Sequence, residues 1–398
     1  MDLKAEALRW EPEVIAARRH LHRHPELSDR EYETAQYLFD MLSACPELEV
    51  SRPCPTGVMA VLHGKKPGHI YAARADIDAL PVTEVDASPF CSVNPGVMHA
   101  CGHDGNTAML LTAARILAAH PEEVSGTIKF IFQPCEEAAG GGSCEIVDSG
   151  VIDDVELMFG AHVDAESDAG CLKLKNGPTH SAVYEMEIVI HGKGGHGGFP
   201  HQCIDSINVG AEIVCALNSV IAKNLDPLKS AVMTITQFEA SQANNIIPEN
   251  VRLGGTLRVL NAEVEALLLQ RIRTLCTGIA QAYGASCDVK LTKSFNLLYN
   301  DDTITDAVRE LLGTTIGAEH ILGDLPVLGG EDFSLYLTKT KGCYFKIGTR
   351  KYREDGVNYP HHHARFCMDE AGLKTGVLAW LTILTGIEQQ LENKEINL

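Results

Sequence analysis

The sequence predicts an α/β fold: an α/β/α domain with a mixed sheet built from two chain segments, and a smaller α+β domain inserted between them. Strand-like and helical apolar runs alternate as far as about residue 165, the signature of an α/β sheet. Between residues 176 and 295 the order becomes β-α-β-β-α-β, the split βαβ unit of a ferredoxin-like domain. The chain after residue 295 is too short to fold by itself, so it completes the first sheet. The 398 residues also exceed the reach of one ordinary hydrophobic core.

Residues 4–24 form an amphipathic pattern stopped by Pro25, and residues 29–42 a second helix. HIYAARAD (69–76) is an apolar run of strand length, whereas NTAMLLTAARILAAH (106–120) is long enough for a helix. GTIKFIFQP (126–134) and VELMFGAHV (155–163) are two further strands. In VYEMEIVIHG (183–192) apolar and polar residues alternate, as on a half-buried strand. Residues 204–224 are helical. AVMTITQFE (231–239) and NVRLGGTLRVL (250–260) are strands joined by a loop containing Pro248. Residues 261–284 make a helix ending at Gly284, and SCDVKLTKS (286–294) is the last strand of the insert. The tail holds a helix at 303–313, the loop LPVLGGEDFS (325–334), a strand CYFKIG (343–348) and a helix at 369–392. The expected divisions are therefore 1–175, 176–295 and 296–398.

Composition narrows the function. Hydrophobic residues at 45% and charged residues at 22% are an ordinary globular mix. The 33 basic and 53 acidic residues give 33 − 53 = −20, with no basic stretch, so nucleic acid and anionic membranes are poor partners. Charged residues from Asp2 to Glu13 interrupt any signal-peptide core, and no apolar run approaches the roughly 18 residues of a membrane span. The thirteen cysteines contain no CxxC pair, which points to reduced thiols, a cytoplasmic setting and small core residues.

Four segments carry chemistry. In MHACGHDGN (98–106), Cys101 and His103 stand two apart, ahead of a helix expected to begin near Asn106. A helix N-terminus favours a thiolate and hence a metal ligand, although a buried Cys beside a capping His reads equally well. In QPCEEAAGGG (133–142), Glu136 and Glu137 follow a strong strand and point in opposite directions, so one can bind metal while the other faces water. A solvated pair in a turn is the plain alternative. Its place at the carboxyl end of a strand, where open α/β sheets bind ligands, favours the chemical reading. His162, in FGAHVDAE (159–166), closes the next strand. In ARADIDALP (73–81), Asp76 and Asp78 form a fourth strand-end cluster, and Asp78 is suited to orient a ligating His or to cap the turn before Pro81. PHHHARF (360–366) offers three consecutive histidines, and spacing does not choose among them.

Taken in order, these segments resemble the two-metal aminoacylase and carboxypeptidase family of metallopeptidase clan MH. The nearest branch is that of hippurate hydrolases, N-acyl-amino-acid amidohydrolases and hydrolases of indole-acetyl amino acids. RRHLHRHPELS (18–28), RADIDALP (74–81), MHACGHDG (98–105), QPCEEAAGGG (133–142), GAHV (160–163), GKGGHGGFPH (192–201), NIIPENVRLGGTLR (245–258), GGEDFS (329–334) and HHARF (362–366) carry it nearly end to end. The resemblance implies two divalent metal ions held by Cys101, His103, Glu137, His162 and His362, with Glu136 as general base. His362 is chosen for its place four residues before Phe366. Zinc or manganese is expected, with cobalt or nickel tolerated in relatives. The α/β domain is then catalytic and the insert a lid and dimerisation domain. From that lid His196 reaches the oxyanion, and Asn245 and Arg258 are suited to grip a substrate carboxylate, although Asn245 also reads as a turn residue before Pro248. Asn106 and Ala364 depart from the pattern, standing where relatives often carry His and Pro.

The implied reaction is hydrolysis of an N-acyl amino acid by a homodimeric enzyme. A dipeptidase or carboxypeptidase of the same family is the alternative. A non-catalytic metal-binding protein is the alternative of another class, but it fits poorly with Glu136 and every ligand being present.

Overall fold

The computed structural model describes residues 1–85, 88–138, 141–241, 243–396 and 398. Ala139 and Gly140 of the Gly-rich motif lie outside them. The chain packs as two compact units. One comprises Met1–Gly177, Tyr299–Leu325 and Leu335–Leu398, and the other Pro178–Leu298 with Pro326–Ser334.

The first unit is built on an eight-stranded mixed sheet. Its centre is parallel: Lys66–Asp76 lies between Ser125–Gln133 and Leu157–Asp164, and Lys341–Gly348 pairs on the far side of Leu157–Asp164. Parallel strands are buried on both faces, which explains why these sequences read as continuous apolar runs rather than alternating ones. Two antiparallel strands at one edge, Leu48–Ser51 and Val58–His63, were not expected, because neither run has a clear period. The tail does complete this sheet: the strand Lys341–Gly348 and the helix Ala371–Asn393 share one core with the helix His103–Ala119.

Two helix boundaries differ from expectation, each for a local reason. The opening helix is two, Leu3–Arg9 and Glu11–Arg23, broken at Trp10 where Pro12 in the next first turn cannot donate to the preceding turn. The helix expected near Asn106 starts earlier, at His103 itself. Gly102 makes this possible. Its φ of +91° is left-handed, and a Cβ there would come within 2.4 Å of Val163 Cγ2.

In the second unit, four antiparallel strands lie in the order Ala231–Glu239, Asn250–Val259, Ala182–His191, Ser286–Phe295. The helices Ser206–Asn224 and Ala262–Ala282 share one core with alternate residues of the strand Ala182–His191, from Ala182 through Ile190. Each helix is capped by a side chain that accepts two backbone N–H groups, Asp205 from Ile207 and Asn208, Asn261 from Glu263 and Val264. Residues 326–334, expected with the tail, belong here instead. Ser181 Oγ and Arg258 Nη1 both donate to the Leu328 carbonyl, at 2.9 and 2.7 Å.

All thirteen cysteines are free thiols, but only Cys135, Cys276 and Cys343 are buried, so the expected core role holds for a minority. Among the described residues no helix is long and apolar enough to cross a membrane.

Candidate active site

The parallel centre of the sheet sends several strands toward one edge, and the chemistry sits where they end. Asp76 closes one strand, Gln133 closes its neighbour just ahead of Glu136 and Glu137, and His162 lies two residues before the end of the third. Cys101 and His103 arrive at the head of the helix His103–Ala119. The tail contributes His362, whose own backbone is left-handed at φ +66° and whose N–H donates to the Ala100 carbonyl at 2.8 Å.

Two groups of potential ligand atoms result, each within 4.8 Å: Cys101, His103 and His162 in one, Cys101, Glu137 and His362 in the other. Cys101 belongs to both. Glu136 lies in a third such group with His103 and Glu137.

Two of the imidazoles are aimed by their other nitrogen. His103 Nδ1 donates to Asp78, 3.0 Å from the carbonyl and 3.2 Å from Oδ1, which turns Nε2 into the cluster. His162 Nδ1 donates to the Val163 carbonyl at 2.7 Å, leaving Nε2 3.5 Å from the Cys101 sulfur. This is the arrangement by which outer groups set the tautomer of a ligating histidine. His362 Nε2 stands 3.3 Å from Glu137 Oε1. Of its neighbours, His361 is half-buried against Phe366 and its Nε2 accepts the Ala165 N–H at 3.4 Å, while His363 stacks on Tyr359. The geometry thus distinguishes three histidines that spacing left equivalent.

The electrostatics call for positive charge. Burial opposes ionisation of Asp76 and Asp78, yet His103 and, for Asp76, Arg74 outweigh it and hold both below the usual carboxylate range. Burial likewise disfavours charge on His103, but Asp76, Cys101 and the Asp78 hydrogen bond raise its pKa well above the ordinary value. The hydrogen bond to Glu137 raises His362. Cys101 runs against the expectation of a dipole-stabilised thiolate. Burial pushes its thiol well up, beyond what His103 returns, and the nearby Glu137 and Glu136 carboxylates add to the rise. A divalent cation would supply what is missing. His103 Nε2, buried 3.8 Å from Glu137 Oε1, has no hydrogen-bond partner, and such atoms are rare unless something else satisfies them. One sulfur, imidazole nitrogens and a carboxylate are the donor set of borderline cations such as zinc.

Asn106, the departure at the helix start, explains itself here. Its Nδ2 donates to Asp76 Oδ1 at 2.7 Å and its Oδ1 accepts the Val163 N–H at 2.9 Å, tying two strand ends to the helix. Ser28, the last residue of the first motif, donates to Asp78 Oδ2 at 2.7 Å. Nothing in spacing signalled either bond. His196, Asn245 and Arg258 all belong to the second unit. His196 is exposed and bridges the strand next to Asn245, whose carbonyl accepts the Gly197 N–H at 2.9 Å.

Residues 72–386 match the family described as Peptidase family M20/M25/M40. The chain belongs to it. Among its M20 relatives, thermostable carboxypeptidase 2 of Saccharolobus solfataricus is 38% identical over 95% of this chain and 96% of its own. An N-acyl-L-amino acid amidohydrolase of Geobacillus stearothermophilus is 43% identical over 73% of this chain and 78% of its own. The crystal structure of Bacillus subtilis YXEP, described as a dinuclear metal binding peptidase from the M20 family, is 32% identical with a TM-score of 0.83, covering 96% of this chain and 99% of that one.

Within this M20 site, His362→Ala is expected to weaken metal binding by more than about tenfold, since even outer partners of a ligand are worth 10–100-fold. His363→Ala is expected to leave it unchanged. Titration of the apoprotein with zinc against a chromophoric chelator separates them. Equal losses in the two variants would remove His362 from the ligand set.

Proposed function

We propose that the protein is a metal-dependent amidohydrolase that cleaves the amide bond of N-acyl amino acids. The observation that carries this is Glu136 beside two ligand groups that share Cys101. Cys101, His103 and His162 would hold one divalent ion, and Cys101, Glu137 and His362 the other. Bound there, the ions would polarise the scissile carbonyl and make water more acidic.

The remaining work falls to the protein's own groups. Glu136 takes a proton from the attacking water and returns it to the leaving nitrogen as the C–N bond breaks. Asp78 keeps His103 turned toward the site and holds the Glu137 amide through its Oδ2 at 3.0 Å. The second unit acts as a ferredoxin-like lid and dimerisation domain. From it His196 donates a hydrogen bond to the developing oxyanion, in trans across a homodimer. Asn245 and Arg258 take the substrate carboxylate, Arg258 with the donors not used on Leu328. Zinc suits the sulfur ligand, and manganese, cobalt and nickel are the other ions to test. The reading includes a cytoplasmic enzyme, in keeping with thirteen free thiols.

The 38% identical carboxypeptidase supports a second reading, cleavage of C-terminal residues from peptides. Assays of N-acetyl and N-aroyl amino acids beside unblocked dipeptides and longer peptides decide. Turnover confined to N-acyl amino acids, abolished by chelation and restored by zinc or manganese, is the expected result. Faster cleavage of peptides establishes the carboxypeptidase instead.

A further inference from the structure

We propose that Glu31 is a positioning residue for Glu136 and Glu137, acting through the backbone of Cys135. It touches no reacting atom. The kcat arm of its test rests on the amidohydrolase reading, while the exchange arm does not.

Glu31 is fully buried, and its Oε1 accepts two backbone N–H groups, from Asp29 at 3.1 Å and from Cys135 at 2.8 Å. Both donors are left-handed, at φ +63° and +54°, although neither is glycine. Such residues persist only where their surroundings over-determine them, and they gather at functional sites. Here one carboxylate oxygen holds both.

The place of Cys135 gives this contact its consequence. The strand Ser125–Gln133 ends two residues before it, and Glu136 and Glu137 follow directly. The Cys135 amide is held by Glu31 and the Glu137 amide by Asp78 Oδ2 at 3.0 Å, so two buried carboxylates hold the amides of the residues on either side of Glu136. The Cys135 carbonyl is occupied as well, accepting the Gly142 N–H at 2.8 Å. The direction of the Glu136 side chain is set by this clamp.

A purely architectural role would look different. Glu31 stands at the N-cap of the helix Tyr32–Ser43, where its carboxylate would ordinarily accept from that helix's first turn, yet it makes no such bond. Glu26 does so instead, accepting the Glu33 and Thr34 N–H groups at 3.2 and 2.8 Å. Glu31 reaches across 104 residues to Cys135. Burial pushes its pKa up to about 7 even though backbone N–H groups, that of Cys135 among them, favour its charged form. Such a group burdens the fold unless it serves the site.

The test compares Glu31→Ala, Glu31→Gln and the wild-type holoprotein in kcat, KM, metal content and hydrogen exchange of the segment 133–138. Glu31→Ala should lose on the order of 10- to 100-fold in kcat, the usual cost of a lost outer-shell partner, with KM and metal content kept. Exchange at the Cys135 amide should accelerate. Glu31→Gln keeps an acceptor oxygen and should restore both. Wild-type kcat in Glu31→Ala, slow turnover with unchanged exchange, or a Glu31→Gln as impaired as Glu31→Ala would each overturn the proposal. Should Glu31→Ala fail to fold, Cys135→Gly supplies the comparison, because glycine adopts φ +54° without strain. In that background Glu31→Ala should lower kcat by less than about tenfold, and a loss of about 10- to 100-fold there would also overturn it. If the wild type turns over no N-acyl amino acid, the exchange measurements still decide the role of Glu31.

Discussion

Glu136→Gln is expected to lower kcat by roughly 10²- to 10⁴-fold, the range attributed to a general base, while KM and metal content stay near those of the wild type. Glutamine matches glutamate in size and keeps a hydrogen-bonding oxygen, but it cannot take the proton from water. Glu136 is nearly buried and sits within 4.8 Å of the ligand atoms of His103 and Glu137 without belonging to either Cys101-sharing group, so its loss should leave metal binding intact. Steady-state kinetics with metal analysis of the same preparation give the answer. A variant that retains more than a tenth of wild-type turnover removes Glu136 from the base role. A variant that loses metal as well places it among the ligands.

The second large effect concerns stability. Asp104→Ala is expected to destabilise the first unit by about 3 kcal/mol at pH 7, the lower end of the 3–5 kcal/mol for breaking a buried ion pair. Asp104 Oδ2 accepts Arg18 Nε and His22 Nδ1, both at 2.8 Å, and all three side chains are buried. The lower end applies because Arg18 keeps Glu370 at 3.3 Å. The effect depends on pH in a definite sense. Burial opposes the charge of Asp104, but Arg18 and His22 outweigh it, so its folded pKa lies below the unfolded value of about 3.9. A depressed carboxylate contributes stability above the unfolded pKa and loses it as pH falls through the folded one. The gap between wild type and variant should therefore be full at neutral pH and narrow below about pH 4. Urea denaturation at about pH 7, pH 5 and pH 3 measures both. A gap that fails to narrow between about pH 5 and pH 3 contradicts the assignment. Replacing Arg18 by Met together with Asp104 by Leu should recover much of the loss, since no charge is then left buried alone.

Much of this molecule was legible because its signals are local. Strand ends, helical runs and the β-α-β-β-α-β order depend on periodicity within about 10–20 residues, and those elements stand where the pattern put them to within a few residues. The kinds of ligand were legible for the same reason: a sulfur, imidazoles and acids at successive strand ends need no long-range knowledge to be recognised as donors. Less visible were features that a single backbone angle controls. Gly102 at φ +91° moved the helix start to His103, and burial, which no local pattern records, raised the Cys101 thiol.

By itself, then, the sequence determined the α/β class, the order of the inserted strands and the family. Tertiary structure alone decided that Asn106 joins Asp76 to Val163, that residues 326–334 pack with the second unit, and that Glu31 holds the turn before Glu136, and it added the Glu137 contact to the choice of His362 that the family spacing had made. The reason is the same in each case. These contacts join residues tens to hundreds of positions apart, and no local period records which buried donor a distant carboxylate will meet.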